Sequence, residues 1–210
     1  MRLESSCFAD NGRIPVECAF CAPDARSHVA LSKNLNPDLA WSDLPAGTRS
    51  LVLICHDRDV PGKPDDVKKE GRTIAASLPR IDFHHWILVD VDPAGGPIRK
   101  GEFSDAVTPK GKGGPAAARG TRQGINDYSA WFAGDPDMGG DYYGYDGPCP
   151  PWNDTIAHRY VFTLYALDVE KCPVQGSFKG PEVMQAMQGH VLGSATLTGV
   201  YALNPEVAIG

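Results

Sequence analysis

Three short apolar runs constrain this chain more than any other feature. SLVLIC (Ser50–Cys55), WILVDV (Trp86–Val91) and YVFTLYAL (Tyr160–Leu167) are rich in β-branched and aromatic residues and bounded by Gly, Pro and Asp. Runs of this length without polar alternation read as strands buried on both faces. SATLTGVYAL (Ser194–Leu203) carries more small and polar residues, which predicts a final strand nearer the sheet edge. Phe20–Leu31 offers a further strand or two. The runs are separated by long irregular segments rather than crossover helices, so the expected fold is mainly β, with a few short peripheral helices.

The helical signals are sparse. Pro181–Gly189 has proline in its first turn, an acid beside it and a terminal glycine. Asp65–Ala76 is a weaker helix candidate, interrupted by Gly71. Gly95–Thr155 shows neither strand nor helix pattern, yet it holds Tyr128, Trp131, Phe132, Tyr142, Tyr143 and Tyr145. Such residues are costly to leave in a loose linker, so a long ordered loop packed by its aromatics is expected, and loops of that kind often carry function.

With 210 residues and 42% hydrophobic content, the chain suits one domain over residues 1–210 with its own core. A net charge of −6, with no dense basic stretch, disfavours nucleic acid as a partner. No run approaches the ~20 apolar residues of a membrane-spanning helix. The N-terminus lacks the apolar segment of a signal peptide, so a cytoplasmic location is expected. For the six cysteines the expected state is then separate, mostly buried thiols. Cys18-x-x-Cys21 is the one close pair, and it lacks the second pair of a zinc site.

Chemistry concentrates at the strand ends. His56-Asp57-Arg58-Asp59 with Pro61 follows the first run, His84-His85 precedes the second, and His158-Arg159 precedes the third, so these groups hold four of the six histidines. Neighbouring antiparallel strands would bring them to one rim of the sheet. Two imidazoles, an arginine and the backbone N–H groups of a Gly/Pro turn make an anion site, since each donates to a phosphate or carboxylate oxygen. Asp57 is expected to line that site. Asp59 either stands beside it, as strand alternation would have it, or supports the turn toward Pro61. Histidine and aspartate also ligate metals, but no metal motif is matched, and no nucleophile elbow or phosphate loop is present. No cofactor is implied.

HDRDVP (56–61), FHHW (83–86), GPCPP (147–151) and HRYVFTLYALD (158–168) together resemble the signature segments of the phosphatidylethanolamine-binding protein family, in its bacterial branch of Raf-kinase-inhibitor-like proteins. NLNPDLAW (34–41), LPAGTRSLVL (44–53), EGRTIAASLPR (70–80) and residues 122–154 extend the likeness over much of the chain, in order. The resemblance implies a large central β-sheet packed against a smaller sheet, with a small anion pocket at one end. By motif position, the pocket would draw on Asp57, Asp59, Pro61, His85, His158 and Tyr160, with Gly147, Pro148, Pro150 and Pro151 as its turn wall. The chain departs from the family pattern at Arg58, at His84 and in the spacer WNDTIA (152–157).

The resemblance implies a non-enzymatic binding protein for a small anionic or phosphorylated ligand, such as a phospholipid head group, acting with or without a kinase or protease partner and allowing a homodimer. The alternatives are a hydrolase using the Asp/His cluster, with or without a metal, and an inhibitor that contacts a protein through residues 122–146.

Overall fold

The computed structural model describes residues 1–209. Its strands are β1 (Arg2–Glu4), β2 (Gly12–Arg13), β3 (Cys21–Asp24), β4 (His28–Leu31), β5 (Ala40–Ser42), β6 (Ser50–Pro61), β7 (Arg80–Val91), β8 (Arg122–Gln123), β9 (His158–Leu167) and β10 (Val191–Tyr201), with helices α1 (Tyr128–Trp131) and α2 (Gly180–Ala186). Six strands form one mixed sheet in the order β2-β10-β9-β6-β7-β8, and the smaller layer is two separate pairs, β1-β5 and β3-β4. Every pairing in the large sheet is antiparallel except that of β10 with β2.

The long apolar runs occupy the middle of this sheet because both of its faces are covered. Along β6, Leu51, Leu53 and Cys55 pack into the larger core with Trp86, Leu88, Phe162 and Leu164. Val52 and Ile54 face the other way and join Ile87, Val89, Phe178, Val183 and Met187. Side chains alternate across a strand, so a strand covered on both faces must be apolar at successive positions, as Leu51 to Cys55 are. Val183 and Met187 lie four residues apart on and just beyond α2, which sets both on one helix face against the sheet. The final strand is β10, one place in from the edge that the two-residue β2 occupies.

Three expectations need correction. Asp65–Ala76 is not helical: it runs through turns, with Lys68 at φ 58° and Gly71 at φ 67°. Left-handed backbone at two positions breaks a helical ladder, and the Asn153 amide supplies the missing donors by bonding the carbonyls of Asp66 and Arg72. The segment 95–155 is not without regular elements, since β8 and α1 lie in it. Its aromatics do pack inward: Tyr128, Tyr142, Tyr143 and Tyr145 are buried, whereas Trp131 stays 44% exposed.

The third correction concerns the cysteines. Cys21 and Cys149, 128 residues apart, form a disulfide. The fold lays the GPCPP turn on the start of β3, where the N–H groups of Phe20 and Cys21 both donate to the Pro148 carbonyl, at 3.0 and 3.1 Å. Sequence spacing carries no trace of such a long-range approach. Cys7, Cys18, Cys55 and Cys172 are thiols as expected. Burial pushes the Cys18 and Cys172 thiols up to about 12 and about 11.

Because the crosslink closes so long a loop, Cys149→Ser is expected to lower the unfolding free energy by about 2–4 kcal/mol. The denaturation midpoint under non-reducing conditions measures this, and an unchanged midpoint would show that the bond adds no stability.

Candidate functional site

The register of the central strands brings three distant segments to one rim. Asp57 on β6 sits opposite Phe83 on β7 and Tyr160 on β9. Asp57, His85, His158 and Tyr160 all line one cavity of about 720 Å³, together with Pro61, Pro150 and Pro151. The Cys21–Cys149 disulfide also forms part of its wall.

At the floor lies a chain of buried charges. Asp57 Oδ2 is 2.7 Å from His158 Nδ1, and His158 Nε2 is 3.1 Å from Asp154 Oδ2. Arg80 donates through both terminal nitrogens to the Asp154 carboxylate. His158 is 0% exposed and Asp57 2%. Burial alone would push the His158 imidazolium down, but the Asp57 and Asp154 carboxylates outweigh it and raise its pKa to about 9. Asp154 is held below the usual carboxylate range: burial works against this, and the hydrogen bonds from His158 and Arg80 prevail. The four groups alternate in sign, so Asp57 faces the cavity with its charge matched from behind.

His85 is built differently. Its Nδ1 donates to the Asp146 carbonyl at 2.6 Å, which leaves Nε2 as the bare acceptor of a neutral ring. Burial lowers its pKa, with the Asp57 charge opposing. The ring is fixed between the edges of Tyr128 and Tyr160, at centroid distances of 5.4 and 5.1 Å. Asp146 itself is fully buried and held by Asn34, Asn126 and Lys112, so the carbonyl that orients His85 belongs to a rigid hub. The Tyr160 hydroxyl is buried beside the Asp57 carboxylate but makes no hydrogen bond of good geometry.

Not every expected residue reaches the cavity. Asp59 is buried, but its carboxylate turns to Arg159, accepting from the backbone N–H, from Nε at 2.9 Å and from Nη2 at 2.6 Å. A β-bulge between Asp57 and Val60 breaks the alternation that would have set the two carboxylates side by side. Gly147 and Pro148 stand behind the wall. A Cβ on Gly147 would collide with the Cys18 carbonyl, so glycine lets the turn seat closely against Cys18–Ala19. Of the four clustered histidines, His56 and His84 pair across β6 and β7 on the opposite face, with ring centroids 6.3 Å apart. His84 Nδ1 is 3.1 Å from Asp127 Oδ2. Arg58 is exposed, and Arg159 serves Asp59, so neither of the arginines beside the expected site residues enters the floor. Asp154, Arg80 and Tyr128 were not foreseen. All three lie in segments that resemble the family, but only the fold shows that Asp154 and Arg80 join His158 and that Tyr128 packs on His85.

With the geometry in place, the comparisons with known proteins take on meaning. The family model described as phosphatidylethanolamine-binding protein matches residues 4–202. The chain belongs to that family. A UPF0098 protein of Methanothermobacter thermautotrophicus is 31% identical over 201 residues, covering 96% of this chain and 98% of the relative. The UPF0098 protein YbhB of Escherichia coli is 31% identical, covering 80% of this chain and 82% of its own. Among solved structures, the family homolog CT736 of Chlamydia trachomatis aligns over 95% of each chain at 27% identity, with a TM-score of 0.62. Escherichia coli YbcL shares the fold at 22% identity and a TM-score of 0.64. As a family member the chain has a binding protein's fold. Among the described residues no cluster of three His, Cys, Asp or Glu groups is arranged to hold a metal ion. None of its described helices is long and apolar enough to cross a membrane.

The His158 bridge has a pH signature. The folded ring keeps its proton up to about pH 9, while an unfolded one releases it near 6.5. This contribution is therefore complete below about pH 6.5 and lost as pH rises through about 9, a loss of roughly 3 kcal/mol from one group. Unfolding free energies measured across that window are expected to show the fall. An NMR titration of the His158 ring with a midpoint at or below 6.5 would refute the bridge.

Proposed function

We propose that this family member is a non-enzymatic binding protein whose cavity takes the anionic end, phosphate or carboxylate, of a small ligand. The observation that carries the reading is a pair of polar atoms at the floor, the Tyr160 hydroxyl, which makes no hydrogen bond of good geometry, and His85 Nε2, left free by the bond its Nδ1 makes to Asp146, at the end of a cavity with apolar walls. Phe20, Phe83, Phe132 and Met138 form much of that wall, and Leu31 and Ile81, 61% and 54% exposed, continue it outward. Such a shape suits a ligand with a polar head and an apolar body.

The charge balance supports an anion at this floor. Asp57 alone would repel one, but His158 is protonated and paired with it, and Arg80 offsets Asp154. The Tyr160 hydroxyl donates directly. His85 donates from Nε2 only once it is protonated, because Nδ1 is committed to Asp146. Anion binding thus takes up a proton on His85, and affinity strengthens as pH falls.

A hydrolytic reading is less well supported: both ring nitrogens of His158 are engaged by carboxylates, and the free Nε2 of His85 faces a cavity lined by no serine, threonine or unpaired cysteine. The reading of residues 122–146 as a protein-contact surface is weakened because their tyrosines are spent on the core.

Titration calorimetry with phosphate, phosphorylethanolamine and acetate, in buffers of differing ionisation enthalpy, tests the proposal. Binding with proton uptake, tightening from pH 8 toward pH 6, is expected. Tyr160→Phe is expected to weaken binding about tenfold while leaving thermal stability equal or higher, since it removes a buried hydroxyl that makes no hydrogen bond of good geometry. Absence of binding to all three compounds at both pH values would remove this reading.

A further inference from the structure

Outside its floor the cavity is lined by Asp82 and Asp127, which face His56 and His84, and by one lysine. Lys68 lines the same cavity from the segment between β6 and β7, and its ammonium lies 5.2 Å from the centre of the Trp131 ring. No carboxylate among the described residues forms an ion pair with it at 4.0 Å or less. Lys68 is exposed overall, and the apolar wall beside its ammonium lowers its pKa.

Ordinary surface lysines are mobile and hydrated, and this one differs because its backbone is fixed. The Lys68 N–H donates to Asn153 Oδ1 at 3.1 Å, and Asn153 Nδ2 holds the Asp66 and Arg72 carbonyls at 2.8 and 3.0 Å. Asn153 is itself buried, and it belongs to the WNDTIA spacer where the chain departs from the family pattern. Lys68 sits at φ 58°, a left-handed position that locks the turn. The spacer therefore builds the turn that carries a lysine to the cavity wall and sets it over an aromatic ring, where a cation keeps part of its stabilisation while one side stays open to an anion.

We propose that Lys68, seated on Trp131, is a second anchor for anionic groups in this cavity, so that the preferred ligands carry two anionic ends joined by an apolar spacer. One end lies at the floor and the other at Lys68, and the spacer crosses the wall formed by Val67, Ile81, Phe83 and Phe132. The inference rests on the floor being an anion site, as proposed above. Molecules of this class are α,ω-dicarboxylates and apolar acids bearing a phosphate at the far end.

The test is a titration series of succinate, adipate, suberate, sebacate and dodecanedioate, each compared with the monocarboxylate of equal length, such as octanoate against suberate. In the native protein one diacid length is expected to bind roughly tenfold tighter than its monoacid. Lys68→Ala is expected to abolish that advantage without changing monoacid affinity, and Lys68→Arg to retain it. Equal binding of diacid and monoacid at every length overturns this inference alone, as does a Lys68→Ala variant that weakens both alike. Failure of every acid to bind, acetate and phosphate included, overturns the floor reading and this one with it.

Discussion

The doubly bonded imidazole of His158 is the constraint on which the rest of the site depends. It ties Asp57 on β6 to Asp154 in the spacer before β9, and through Asp154 it engages Arg80 at the start of β7. Three strand ends and one irregular segment are thus fastened by a single ring with no exposed surface. A buried charge that loses its partner is strongly destabilising, so each member of the chain fixes the position of the next. The rim of the sheet is rigid for this reason, and the neutral polar atoms of His85 and Tyr160 are held in place beside it.

Strand alternation and its interruptions explain both the core and the division of polar residues. Alternation sends Leu51 and Leu53 to one core and Val52 and Ile54 to the other, but a register shift on β7, where Cys55 pairs with Trp86 and His56 with His84, leaves His85 as an extra residue and puts it on the cavity side with Trp86, with His84 on the opposite face. A second shift lies between Asp57 and Val60, where it separates two carboxylates that regular pairing would have brought together.

The central strands were legible in the sequence because burial on both faces leaves an uninterrupted apolar run. The helix over Gly180–Ala186 was legible because proline, acid and glycine mark its ends locally. What could not be read depends on contacts between distant residues. The turn at 65–76 looked weakly helical until the Asn153 amide, some eighty residues on, was seen to take its carbonyls. Cys21 and Cys149 could not be paired from spacing, and the expectation of separate thiols failed for those two. Within the site, Asp57, His85, His158 and Tyr160 came from resemblance to the family's motifs and do meet at one cavity. Asp59, Gly147 and Pro148 shape its surroundings from behind, and the roles of Asp154 and Arg80 emerge only from the folded chain.

The large sheet ends on both sides in strands of two residues, β2 and β8. Each caps only two positions of its long neighbour, Gly199 and Val200 on β10 and Leu88 and Val89 on β7. Loop amides of Gly124, Asp127 and Asp146 take the next carbonyls of β7, whereas β10 has no strand partner on that side from Val191 to Leu197, so any chain that lengthened the sheet would do so there.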